Sequence, residues 1–214
     1  NNRPKAHVTS LGSEYGGWAV DDSNFTPHTV IYDVGLGEDT SWDSALIKKY
    51  NLQVYGFDPT QKSAMHVGKL YHNSSNFHYT KEGLSTTKEM KIFTKPANPN
   101  YVSMREGSHE GEGLGEKIKV PVNTLENWME KNGHTHIDVL KIDIEGSEYR
   151  VLEDWVERDY FPFDQLLVEW HFRFLTKRER HQQLLDALKR KGWHVIHTKN
   201  AGQEMSFSRN PLSL

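Results

Sequence analysis

The chain has 214 residues, of which 36% are apolar, 26% charged and 11% aromatic, the mixture of a globular α/β domain with a sizeable core. This excludes a disordered, collagen-like or low-complexity chain, and the absence of cysteine excludes disulfide scaffolds, thiolate zinc sites and cysteine nucleophiles. With 26 Lys and Arg against 29 Asp and Glu, the net charge of −3 lacks the basic excess that nucleic acid or an anionic membrane attracts.

No apolar run approaches the roughly 20 residues that span a bilayer. The chain starts at Asn1, so an upstream leader or anchor remains open. A cytoplasmic location is expected. The sequons Asn24-Phe25-Thr26 and Asn73-Ser74-Ser75 give a weak vote for a secretory lumen instead.

In chain order, residues 1–29 read as a polar, turn-rich leading segment. The β-branched run 29–34 then predicts a buried strand that ends in Gly35-Leu36-Gly37. Asp39, Thr40 or Ser41 can cap a helix to about Tyr50. Strands over 52–57 and 76–79 flank a helix over 61–70. This alternation predicts a doubly wound, mostly parallel Rossmann-like sheet of seven strands in a single domain spanning 1–214. The stretch 88–122 departs from it, with strands over 88–94 and 117–122 flanking a long loop, 95–116. That loop is expected to cover an acceptor through Tyr101, Ser103 and Arg105. Alternation resumes with a Thr124-capped helix to Lys131, a strand over 137–144 and a helix over 147–157. A strand over 165–170 and a helix over 177–191 follow. Strands over 193–197 and 204–208 close the sheet as a terminal antiparallel pair.

Three segments carry chemistry. In Asp33-Val34-Gly35-Leu36-Gly37 the glycines let the backbone turn sharply and approach a ligand, and Asp58 ends the next strand, placed to accept hydrogen bonds from a ribose diol. A nicotinamide cofactor needs a third glycine where Thr40 stands, and Glu38 and Asp39 would repel its diphosphate, whereas a sulfonium with an amino-acid tail suits an acidic loop. In the second segment, Leu140 to Glu148, strand alternation puts Lys141, Asp143 and Glu145 on one side at the C-terminal strand end, where ligands bind in open α/β sheets. In the third, the same alternation groups Glu169, His171 and Arg173, so His171 is expected to act as general base with Glu169 orienting it. Asp143, Glu169 and His171 are also possible metal ligands, but no helix-spaced histidine pair supports a metal and none is expected. His134 and His136, at the other end of their strand, read as surface.

Together these segments resemble the FkbM-type S-adenosylmethionine-dependent methyltransferases over about residues 30–208. The most specific piece is Leu140-Lys141-Ile142-Asp143-Ile144-Glu145-Gly146-Ser147-Glu148, close to the family's K-[IM]-D-[IV]-E-G-[AS]-E signature. Val30 to Gly37 looks like the family's cofactor loop, Tyr55 to Pro59 like its ribose-binding strand end, and Glu82-Gly83-Leu84-Ser85 like the segment beside the adenine. The third glycine often seen in the cofactor loop is replaced by Asp39. The resemblance implies a class I Rossmann-like fold, S-adenosyl-L-methionine as cofactor and a hydroxyl of a sugar, glycan or small metabolite as acceptor. Upstream, Tyr15, Gly16 and Gly17 are expected across the cofactor's methionine end, with backbone donors reaching its carboxylate and rings near the sulfonium. The competing readings are a non-catalytic cofactor-binding module and a nicotinamide-dependent oxidoreductase.

Overall fold

Ahead of the first expected strand the chain folds into an antiparallel hairpin, β1 (Val8–Leu11) and β2 (Trp18–Asp21). The computed structural model describes residues 7–94, 105, 106, 116–172, 175 and 178–209. The elements that follow are β3 (Val30–Val34), α1 (Ser41–Tyr50), β4 (Gln53–Phe57), α2 (Gln61–Tyr71), β5 (Phe77–Thr80) and β6 (Gly83–Leu84). Next come β7 (Glu89–Thr94), β8 (Arg105–Glu106), β9 (Lys117–Asn123), α3 (Leu125–Asn132), β10 (Ile137–Ile142) and α4 (Glu148–Arg158). The chain closes with β11 (Phe163–Glu169), α5 (Glu179–Arg190), β12 (His194–Lys199) and β13 (Glu204–Ser208).

Seven strands form one sheet in the order β12-β13-β11-β10-β3-β4-β5. The pairs from β11 to β5 are parallel, and β13 is antiparallel to both of its neighbours. This is the doubly wound α/β sheet that the alternation predicts. Its central strands are apolar on both faces because helices cover both. On one side α3, α4 and α5 pack Leu125, Trp128, Leu152, Trp155, Leu184 and Leu188 against Leu140, Ile142 and Leu166. On the other, Trp42 and Leu46 of α1, Val67 of α2 and Trp18 of the hairpin pack against Ile31, Val54 and Val139.

Local chemistry explains most helix starts. Thr60 and Thr124 accept bonds from the amides of Ser63 and Asn127, at 3.1 and 3.2 Å. Thr40 stands at the N-cap of α1 without a side-chain cap bond, and Asp39 takes the amide of Ser41 instead at 2.9 Å.

Several expectations need correction. The leading segment is a hairpin docked on the sheet. Among the described residues the region 88–122, with β6, forms a separate four-stranded sheet in the order β6-β9-β7-β8. Of the expected acceptor contacts, Tyr101 and Ser103 lie outside the described residues, while the backbone of Arg105 pairs with Thr94 in β8. β10 stops at Ile142 because Glu145 and Gly146 take left-handed backbone angles, φ 53° and 102°, and turn the chain into α4. His134 is half-buried rather than a surface residue, with Nδ1 2.8 Å from the Tyr32 hydroxyl.

The hairpin is held by side-chain amide pairing. Gln165 on β11, which is buried, accepts from the amide of Asp21 and donates to its carbonyl, both at 2.8 Å. Ser206 adds a bond to the carbonyl of Ala19 at 2.7 Å. Gln165→Leu leaves that donor and acceptor without partners and is expected to cost about 2–4 kcal/mol in urea unfolding. Wild-type stability in this variant would show that the hairpin is held by other contacts.

Candidate functional site

At the C-terminal ends of β3, β4, β10 and β11 lies a cleft of 1070 Å³. It is the crevice in which open α/β sheets bind ligands. One half is lined by Gly35, Leu36, Gly37, Phe57, Asp58 and Gly83, and the other by Asp143, Glu145 and Glu169. Glu14, Tyr15, Gly16 and Trp18 border it from the hairpin turn.

Gly35 is dictated by crowding. Its φ is +86°, and a Cβ there would sit 1.7 Å from the carbonyl oxygen of Asp143. Gly37 also has a positive φ, +57°, but nothing lies within 4 Å of where its Cβ would be. The loop is therefore closed on the β10 side at Gly35 and leaves open space beside Gly37, whose own amide and carbonyl are bonded to Asp58 and Ser63. Asp58 lines this half and is tied to the same loop. Its Oδ2 accepts from the amides of Leu36 and Gly37 at 3.0 and 3.2 Å, and Oδ1 from that of Thr60 at 2.8 Å.

Asp33 was expected on the cofactor, but it is buried behind the loop and does not line the cleft. Its Oδ1 accepts from Lys141 Nζ at 2.7 Å, and Lys141 also donates to the Gly35 carbonyl at 3.0 Å. Lys141 itself lines the cleft. Its alternation with Asp143 and Glu145 put it on the correct face, but no role was read from it.

The hairpin turn is pinned at both ends. Ser13 donates to Asp39 Oδ2 at 2.7 Å, and Lys199 donates to the carbonyl of Glu14 at 2.6 Å. A Cβ on Gly16 would lie 2.4 Å from the Asp39 carboxyl carbon, so a larger residue there would push the Asp39 side chain aside. The turn leaves Tyr15 87% exposed at the cleft rim. The expected backbone donors need correction: the Gly16 amide already donates to Ser13 Oγ at 2.8 Å, and Gly17 is buried off the cleft.

His171 is the largest departure. Glu169 does approach it, with Oε1 3.8 Å from Nε2, but the strand ends at Glu169 and the ring is buried off the cleft lining. Fully buried Glu148 accepts the His171 amide at 2.8 Å and faces Nδ1 at 3.3 Å. Nε2 faces Glu145 at 3.5 Å and Asp143 at 3.7 Å. Burial opposes the charged ring, but the Glu148 bond and the charges of Glu148, Glu145 and Asp143 outweigh it and push the pKa up to about 9. At neutral pH the group is an imidazolium and has no lone pair to take a proton, so it is not the expected base. Arg173 lies outside the described residues.

Asp143 faces the cleft. Burial raises its pKa well above the usual carboxylate range against the lowering effect of Lys141, and Glu169 raises it further. Asp143, Glu145 and His171 each bring one ligand atom within 4.8 Å of the others, an arrangement that could hold a metal ion, although none was expected from the sequence. Glu148 stands at the start of α4. Its Oε2 does accept the Gly146 amide at 2.7 Å, but its hold on His171 spans 23 residues and has no local sequence signal.

A sequence model of the methyltransferase FkbM domain matches residues 32–195. The probable methyltransferase-like protein 24 of Rattus norvegicus is 24% identical over 180 residues, covering 78% of this chain and 42% of that protein. Among solved structures, methyltransferase FkbM from Methylobacillus flagellatus aligns with a TM-score of 0.54 at 13% identity, over 86% of this chain and 44% of that chain. The chain thus spans less than half the length of either, and the structural likeness bears on the fold alone.

His171 titrates near 6.5 when unfolded and about 9 when folded, so folding binds its proton. The resulting stability is complete below the unfolded value and is lost as pH rises through the folded one. His171→Gln is expected to lose on the order of 3 kcal/mol relative to wild type at about pH 6, and much less at about pH 10, by urea unfolding. A difference that does not vary with pH would place the neutral ring in the folded protein.

Proposed function

We propose that this chain, which belongs to the FkbM methyltransferase family, methylates a hydroxyl of a sugar, glycan or small metabolite. The family is S-adenosylmethionine-dependent, and when bound that cofactor supplies an activated methyl group and leaves as S-adenosylhomocysteine. The observation that carries the reading is the two-sided cleft, a glycine loop facing a row of carboxylates. Its 1070 Å³ lies at the upper end of the volumes usual for small-molecule and cofactor sites, roughly 300–1,000 Å³.

The carboxylate of Asp58 would hold the ribose in the space beside Gly37, with Gly83 and Leu84 beside the base. Tyr15, Gly16 and Trp18 would border the methionine end, where rings favour a sulfonium. Glu145 and Glu169 would orient acceptor hydroxyls. Asp143, which lines the cleft, would take the proton of the acceptor hydroxyl. Its raised affinity for protons makes it a better base than an ordinary carboxylate, and positive charge brought into the cleft favours its ionised form. Eight carboxylates line the cleft, those of Glu14, Glu38, Asp39, Asp58, Asp143, Glu145, Glu169 and Glu204, against Lys141 and Lys199. That balance favours a neutral or cationic acceptor over a phosphodiester, and it disfavours a nicotinamide diphosphate for the same reason.

Titration calorimetry is expected to show S-adenosylhomocysteine binding tighter than NAD; the reverse order would make the protein an oxidoreductase. Asp58→Ala removes both the ribose contact and the tie on the loop, and should cost on the order of 2–3 kcal/mol in that affinity. Asp143→Asn should lower turnover roughly 10²–10⁴-fold, measured as S-adenosylhomocysteine formed with a panel of methyl glycosides and hydroxylated metabolites. Cofactor binding without turnover on any acceptor would favour the non-catalytic module.

A further inference from the structure

Three ionisable side chains lie buried beneath the cofactor loop, with 2% of Asp33, 0% of Asp43 and 6% of Lys141 exposed. Lys141 joins Asp33 at 2.7 Å and the Gly35 carbonyl at 3.0 Å. Asp43, in the first turn of α1, has both carboxyl oxygens fully buried, and no donor among the described residues reaches either. The groups that act on it are Asp33 of β3, whose charge raises its proton affinity, and Lys141 of β10, whose charge lowers it, while Asp43 in turn raises the pKa of Tyr71 on α2. The Tyr71 hydroxyl is itself engaged with Ser44 and Thr40.

Two ionised carboxylates against one ammonium would leave a buried negative charge without a donor, which is strongly unfavourable. A proton on one of them removes the imbalance. Asp33 already has the direct ion pair, so the proton belongs on Asp43, where it also provides the missing donor. We propose that Asp43 is a positioning residue whose neutral carboxyl donates to Asp33, locking Asp33 on Lys141 and Lys141 on the Gly35 carbonyl. Helix α1 thereby holds the glycine loop from below through three consecutive polar links. Burial, and then the charge of Asp33, raise the Asp43 pKa well above the usual range, in the same direction.

The loop's role rests on the methyltransferase reading; the protonation state does not. Infrared spectra of the unliganded protein at neutral pH should contain the carbonyl band of a protonated carboxylic acid that Asp43→Asn removes. S-adenosylhomocysteine affinity should stay within about threefold in Asp43→Asn, whose amide still donates, and fall about tenfold or more in Asp43→Leu. A spectrum unchanged by Asp43→Asn overturns the proposal, as does an Asp43→Asn protein that fails to fold or binds as poorly as Asp43→Leu. If Asp43→Leu does not fold, the spectrum and Asp43→Asn decide. Absence of S-adenosylhomocysteine binding to the wild type counts against the methyltransferase reading alone, and the infrared band still settles where the proton is.

Discussion

The backbone of the β3–α1 loop runs directly against the backbone of the β10 end, and the geometry of the cleft depends on that contact. The carbonyl of Asp143 occupies the space a side chain at Gly35 would need. Main-chain bonds fix the approach on both sides, from the Asp143 amide to the Val34 carbonyl and from the Gly35 amide to the Phe57 carbonyl, each at 2.9 Å. The glycine loop and the carboxylates at the β10 end are therefore parts of one crossing. Two separate loops would need ordering before they could align reacting groups, and alignment to within a fraction of an ångström is what a displacement reaction demands of its protein.

The crossing was legible in the sequence because its signals are local. A β-branched run ending in Gly-x-Gly, and a second run ending in Asp-Ile-Glu-Gly, each announce a buried strand and a sharp turn. The hairpin was not legible: each of its strands has four residues, and β1 alternates only between exposed and half-exposed positions. What holds it is the amide of Gln165, 144 residues away from Asp21. His171 was misread for a similar reason. Period-two alternation brought it near Glu169, yet its burial and charge come from Glu148 on α4, which no spacing rule connects to it. The same holds for Asp33, whose partner Lys141 lies 108 residues on. Sequence reasoning located the strand ends that carry the site and failed where a role depends on contacts between distant elements.

Glycines at the turns show the same limit. Gly35 was expected to bring the backbone close to a ligand and is instead crowded by the carbonyl of Asp143, and Gly16 was expected in a ligand-binding turn and faces the carboxylate of Asp39. That carboxylate joins the hairpin turn to the start of α1, and Lys199 joins the other side of the turn to the sheet edge. Tyr15 owes its exposed position at the rim to this two-sided attachment. An aromatic ring left in water on a mobile tail would carry little information, but one fixed at the mouth of a cleft restricts what enters.

The charges divide into two groups with different consequences. Asp33, Asp43 and Lys141 form one buried set behind the loop, and Glu148 with His171 forms another behind the β10 and β11 ends. Each set contains its own cation. The carboxylates that do face the cleft are held in place by these sets: Lys141 and His171 act on Asp143 from the two sides, and Glu145 lies 3.5 Å from the same imidazolium. A ligand bearing positive charge enters a site whose negative groups are already oriented, and it does not have to reorganise them. Preorganised charge of this kind favours a sulfonium cofactor over an anionic one without any contact specific to sulfur, because the selection is made by the sign of the field.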